Sequence, residues 1–201
     1  QPALLASCSW DSWVCLLDTR AGRCVHRFKP HGQEWLTACA FAADGLSLVV
    51  TGHVGSAVVH DVRMQAERAR ATTHAPWLTD CTYVTPDCVV LAGADGTLAA
   101  ATLSTGATTT LLMADGLPPH TAPVTGVCVA PARSGGFCSA SLDGVVRLWQ
   151  PPLRGDGGFT PTCQFVCTAG CTAVAAGDAG TIVVGDVIGA TYALESQNNP
   201  W

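Results

Sequence analysis

One short frame recurs through this chain at nearly even spacing, and that periodicity limits the fold more than any single motif does. The best-formed copy runs from His120 to Gln150. Three short runs there alternate apolar and polar residues, with a turn after each of the first two, and the second turn is Asp143-Gly144. Alternation with a period of two, broken by a Gly-containing turn, is the mark of an antiparallel meander of strands. With Asp143 as a ruler, the frame recurs at Asp11, Val54, Asp95 and Ile188, giving intervals of 43, 41, 48 and 45 residues. A second landmark keeps step. Thr37, Thr79, Thr125 and Thr172 precede their rulers by 17, 16, 18 and 16 residues, and His31, His74 and His120 precede the first three threonines by six, five and five.

A strand-built unit repeating every ~40–45 residues resembles the WD repeat, one blade of a β-propeller. His120 lies near the start of such a repeat, and Trp149-Gln150 stands where a Trp-Asp pair would close it. The resemblance covers Leu4 to Glu195. It implies an all-β WD-repeat β-propeller with about five four-stranded blades at approximately 1–30 (partial), 31–73, 74–113, 120–166 and 167–195 (partial). Each blade would be an a-b-c-d meander. The first would lack strand a and the last would end after strand c, which leaves eighteen strands. Outer d strands are expected at Arg23–Phe28, Glu67–Thr72, Ala107–Met113 and Thr160–Val166. Turns between a and b are expected at Asp44-Gly45, Pro86-Asp87, Ser134–Gly136 and Asp178–Gly180, and the Pro/Gly-rich stretch Pro151–Gly158 is expected as a long c–d connection. Propellers of this family usually close with seven blades, since open sheet edges invite aggregation, so the chain is expected to form about two-thirds of a ring.

Composition agrees with this and removes other classes. Charged residues are 12% and hydrophobic ones 48%, a balance that disfavours disorder. The Lys, Glu and Gln that coat helical bundles are scarce, whereas Gly, Val, Thr and Ala suit short strands and tight turns. No apolar run nears the roughly 18 residues of a membrane span, and no signal-peptide pattern opens the chain, so no membrane association is expected. Eleven cysteines, an odd and scattered set, read as reduced thiols of an intracellular, cytoplasmic protein, with nucleus or cilium as alternatives. Cys163, Cys167 and Cys171 fall at four-residue spacing. That is not a Cys-x2-Cys pattern and no histidine is near, so neither a metal nor a cofactor is expected.

Three groups of residues bear on function. His120, Ser139 or Ser141, and Asp143 are the residue types of a hydrolytic triad. The resemblance implies instead that His120, a serine at 139 or 141, Asp143 and Trp149 form the hydrogen-bonded structural tetrad of one blade, with no catalytic residue. No nucleophile-elbow or phosphate-loop motif accompanies them. Second, Trp35 and Trp77 immediately precede strand a of blades two and three. Trp10 precedes Asp11, and His53 holds the matching place in blade two. In the family's geometry these loops share one face, so the four side chains are expected to gather there as partner-binding candidates; the alternative is that each indole packs between blades. Third, Arg20, Arg23, Arg27, Lys29, Arg63, Arg68 and Arg70 map to outer strands and turns of blades one and two, either as a nucleic-acid edge or as solvated charges guarding that edge. The reading that results is a non-catalytic scaffold binding other proteins of a multi-subunit assembly, with an RNA-binding subunit as the alternative.

Overall fold

The computed structural model describes residues 4–130, 135–151, 158–177 and 181–195. Among them are eighteen strands in five antiparallel sheets, each a simple meander in chain order. Blade one holds β1 (Leu4–Cys8), β2 (Val14–Asp18) and β3 (Arg23–Phe28). Blade two holds β4 (Leu36–Phe41), β5 (Ser47–Gly52), β6 (Val54–Asp61) and β7 (Ala66–Thr72). Blade three holds β8 (Leu78–Thr85), β9 (Cys88–Gly93), β10 (Leu98–Thr102) and β11 (Ala107–Leu111). Blade four holds β12 (Val124–Val129), β13 (Phe137–Ser141), β14 (Val145–Gln150) and β15 (Thr160–Val166), and blade five β16 (Cys171–Ala176), β17 (Ile182–Asp186) and β18 (Thr191–Leu194). The turn at 178–180, residue 134 of the turn in blade four and the interior of the Pro/Gly-rich connection at 152–157 lie outside the described residues.

The blades are held together by side chains on both faces of each sheet. Along β5, Val49 joins the cluster shared with blade three, while Val50 joins the one shared with blade one. Along β9, Val89 and Leu91 face blade two and Val90 and Ala92 face blade four. On β13, Phe137 and Cys138 divide in the same way between blades three and five. A strand buried on both faces reads as continuously apolar rather than alternating, and β5 and β13 are buried at every position. β17 alternates, with Val183 exposed on the side away from blade four. Four apolar clusters therefore serve four blade-to-blade interfaces.

The recurrent threonine is a second tie between blades. Thr37 Oγ1 donates to the Leu78 carbonyl at 2.8 Å, Thr79 Oγ1 to Val124 at 2.6 Å and Thr125 Oγ1 to Cys171 at 2.9 Å. Each hydroxyl on the first strand of one blade thus reaches the first strand of the next. Thr172, the fourth, bonds only within its own blade, to the Gly185 carbonyl at 3.1 Å. A β-bulge sits beside each threonine, turning it out of the ladder, and in Thr37, Thr79 and Thr125 toward the next blade.

The ruler positions mark the turns between second and third strands. The residue after the ruler is left-handed in four blades, with φ of 71° at Ser12, 84° at Gly96, 79° at Gly144 and 89° at Gly189. Glycine adopts this conformation without a Cβ clash, and serine does not. Blade two departs: β6 begins at Val54 itself, directly after Gly52 and His53, with a register shift between Thr51 and Gly52.

Two outcomes follow for stability. Thr79→Val, which keeps the shape and removes the bridging hydroxyl, should cost about 1 kcal/mol in urea denaturation, and Thr172→Val clearly less. Ser12→Gly, which relieves the left-handed strain, should add about 0.5–1 kcal/mol by the same measurement.

Candidate interaction face and the buried tetrad

Blade four contains a closed polar relay. The Trp149 indole N–H donates to Ser139 Oγ at 3.0 Å, Ser139 Oγ lies 2.8 Å from His120 Nε2, and His120 Nδ1 lies 3.0 Å from Asp143 Oδ2. An ionised carboxylate can only accept, so a neutral His120 donates Nδ1–H to Asp143 and its bare Nε2 accepts from the serine hydroxyl, which in turn accepts the indole N–H. Asp143 also accepts the amides of Thr121 at 3.1 Å and Val145 at 2.9 Å. Of the two serines that share this face, Ser139 completes the relay. Ser141 Oγ instead donates to the Ala122 carbonyl and accepts the Asp143 amide. Ser139 is 0% exposed and its oxygen is committed on both sides, so a substrate carbonyl cannot reach it as it would a catalytic nucleophile.

A different arrangement faces solvent at blades one to three. The rings of Trp10 and Trp35 stack with centroids 5.3 Å apart and planes 11° apart. His53 and Trp77 stack at 5.3 Å and 8°. The two pairs meet edge to face, His53 lying 6.3 Å from Trp10 and 5.3 Å from Trp35. Backbone bonds fix the row from beneath: His53 N–H donates to the Trp35 carbonyl at 2.8 Å, and Ala94 N–H to that of Trp77 at 3.2 Å. Gly52 permits the first, since a Cβ there would stand 2.4 Å from the Trp35 oxygen. The indoles are not packed between blades. Trp10 is 65% exposed, Trp35 50% and Trp77 41%.

Residues 113–150, which contain the relay, match the family model for the WD domain, G-beta repeat. Blade four is thus a WD repeat by sequence, and the other blades share its fold. The chain is 28% identical over 155 residues to a guanine nucleotide-binding protein subunit beta of Zea mays, a match covering 72% of this chain, and 27% identical over the same length to the corresponding subunit of Oryza sativa subsp. japonica. The matched stretch spans 40% of either relative. In fold it is similar to a chain in a crystal structure of the mitotic checkpoint complex, with a TM-score of 0.81 at 17% identity, covering 97% of this chain and 62% of that one.

Away from blade four, the WD relay is replaced by local substitutes. In blade two, His31 Nε2 reaches the Val50 carbonyl at 3.2 Å, and His60 takes the place of the tryptophan, stacked on Phe28 at 3.8 Å. In blade five, Asp186 accepts the Tyr192 hydroxyl at 2.9 Å and the amides of Ile188 and Ala190, a cluster that the sequence reading missed. Its position on the last residue of a strand before a turn was the available signal. Asp80 was missed as well. This largely buried carboxyl, pushed up from its ordinary value by burial, accepts the amides of Cys81 and, across the blade interface, Val127, both at 2.8 Å.

The seven basic residues of the first two blades do not form one free surface. Arg27 and Lys29 lie over the Trp13 ring at 4.6 and 5.0 Å. Arg68 bonds Ser47 Oγ at 2.9 Å, and Arg70 pairs with Glu67 at 2.9 Å and reaches the Pro30 carbonyl. Arg20, Arg23 and Arg63 are exposed, as are Arg27, Arg68 and Arg70 beside these contacts. All eleven cysteines are free thiols; Cys163 is exposed, whereas Cys167 and Cys171 are buried with sulfurs 3.5 Å apart. Among the described residues no three His, Cys, Asp or Glu side chains are grouped to hold a metal, and no helix is long and apolar enough to cross a membrane.

The relay has a pH consequence. Burial holds the His120 imidazole below its ordinary 6.5, against the pull of Asp143. As pH falls through 6.5 the unfolded histidine takes up a proton that the folded one refuses, so this contribution is full above that pH and lost below it. Burial alone would raise Asp143, but the Val145 amide and His120 bring it below its ordinary 3.8, so its support also disappears as pH falls. Urea midpoints should therefore drop as pH is lowered through 6.5, and His120→Gln should flatten that part of the profile.

Proposed function

We propose that this chain is a non-catalytic scaffold that engages another protein of a multi-subunit assembly through Trp10, Trp35, His53 and Trp77. WD-repeat proteins act as protein-interaction scaffolds, and the relatives are named as a subunit and as part of a complex. The observation that carries the reading is the row of three solvent-facing indoles, ordered by stacking rather than by burial. Exposed, pre-ordered indoles offer large apolar area with little side-chain entropy left to lose, which is the property of interface anchors. The exposure of Leu5 and Val183, on blade faces that inner blades bury, supports further blades packing against both ends of the row of blades, as in a closed ring. An intracellular, cytoplasmic setting suits a chain whose eleven cysteines are all free thiols.

Affinity capture with the full-length protein tests the interface. Trp35→Ala and the double variant Trp10→Ala/Trp77→Ala should each lose partner capture while melting within a few degrees of wild type, because surface truncations away from the core cost little. Undiminished capture by both variants would sink the reading. The basic edge supports nucleic-acid binding less well, because Arg68 and Arg70 are held by Ser47, Glu67 and the Pro30 carbonyl.

A further inference from the structure

We infer that the aromatic row recognises an arginine side chain presented by a protein segment. The inference rests on the row being an interface and names the chemistry it selects. The five loops that build this face, residues 9–13, 29–35, 53, 73–77 and 94–97, carry three acids, Asp11, Glu34 and Asp95, against a single cation, Lys29. All three acids are exposed. Asp11 directly follows Trp10, Glu34 directly precedes Trp35, and Asp95 follows Ala94, whose amide bonds the Trp77 carbonyl. Each stacked pair thus has an exposed carboxylate in the loops that carry it or, for His53 and Trp77, in the loop bonded to it.

A face whose loops expose both indoles and carboxylates favours a planar cation. A guanidinium stacks flat on an indole while its edge donates to a carboxylate in a fork, and it gives up its hydration more readily than an ammonium does. The chain already shows the contact once, where Arg27 and Lys29 lie over the Trp13 ring. That indole is occupied from within. Lys29, the cation closest in sequence to the exposed row, is held there and by Gln33 Oε1 at 2.9 Å, so it leaves the row's charge uncompensated. A neutral apolar partner would gain nothing from the three acids, and an acidic one would be repelled by them.

Isothermal titration of the intact protein with three short synthetic peptides tests the assignment. One presents an arginine flanked by glycine and leucine, one carries citrulline in its place, with the same shape and no charge, and one carries lysine. The arginine peptide should bind and weaken with added salt, the lysine peptide should bind less tightly, and the citrulline peptide should bind about tenfold more weakly or not at all. The combined variant Asp11→Asn, Glu34→Gln, Asp95→Asn should lose that preference with its melting temperature unchanged, since asparagine keeps the turn bonds that Asp11 and Asp95 accept from Trp13 and Thr97. Equal binding of arginine and citrulline peptides, or no binding of the arginine peptide, would overturn the inference. Partner capture separates it from the reading beneath. A partner lost with Trp35→Ala but held normally by the charge-neutralised variant leaves the interface and removes the arginine. A partner indifferent to both removes the interface.

Discussion

No blade of this chain can bury its own core. Each sheet is apolar on two faces and has only its neighbours to cover them, so Val49 and Val50, adjacent on one strand, belong to different interfaces. The consequence is one-dimensional: stability is a chain of nearest-neighbour couplings, and every other feature depends on them. The threonine hydroxyls add direction to that coupling, because each is a donor on one blade and needs a carbonyl on the next. Apolar contact would tolerate small slips in the height of one blade against another. A hydrogen bond with a defined partner fixes it.

This explains how much could be read from the residues alone. The periodic frame was legible because turns and strand alternation are local and repeat. The threonine was legible as a landmark, but its role was not, since its partner lies 41 to 46 residues away on the next blade. The gathering of Trp10, Trp35, His53 and Trp77 followed from repeat geometry, yet their exposure depends on ring orientation, which no spacing encodes. Alternation put Ser139 and Ser141 on one face and left the choice open. Only the height of His120 and Trp149 on neighbouring segments decides it. Asp80 escaped because no other blade has a carboxylate beside its threonine, and Asp186 because its counterparts Ser9 and Ser141 accept the same turn amide with a hydroxyl.

The degeneracy of the repeats also has a physical reading. Blade four keeps the full relay, and the others satisfy the same region with Val50's carbonyl, with stacked His60 and Phe28, or with Tyr192 and Asp186. What must be preserved is that buried polar groups find partners, and which groups do so is free to drift as long as none is orphaned. That freedom has limits here: among the described residues His26 Nε2 and His60 Nε2 are buried without a hydrogen-bond partner, and both lie in blades one and two, where the relay has been lost. Those blades also carry part of the exposed aromatic row.

Two indoles held nearly parallel at 5.3 Å are also an optical device. Their transition dipoles lie close enough to couple, so the pair absorbs as one excitonic unit and gives the ultraviolet circular dichroism a component that isolated tryptophans lack. Anything that parts the rings or slides between them dissolves that coupling. The surface therefore carries its own spectroscopic record of whether it is covered, with no label attached to either side.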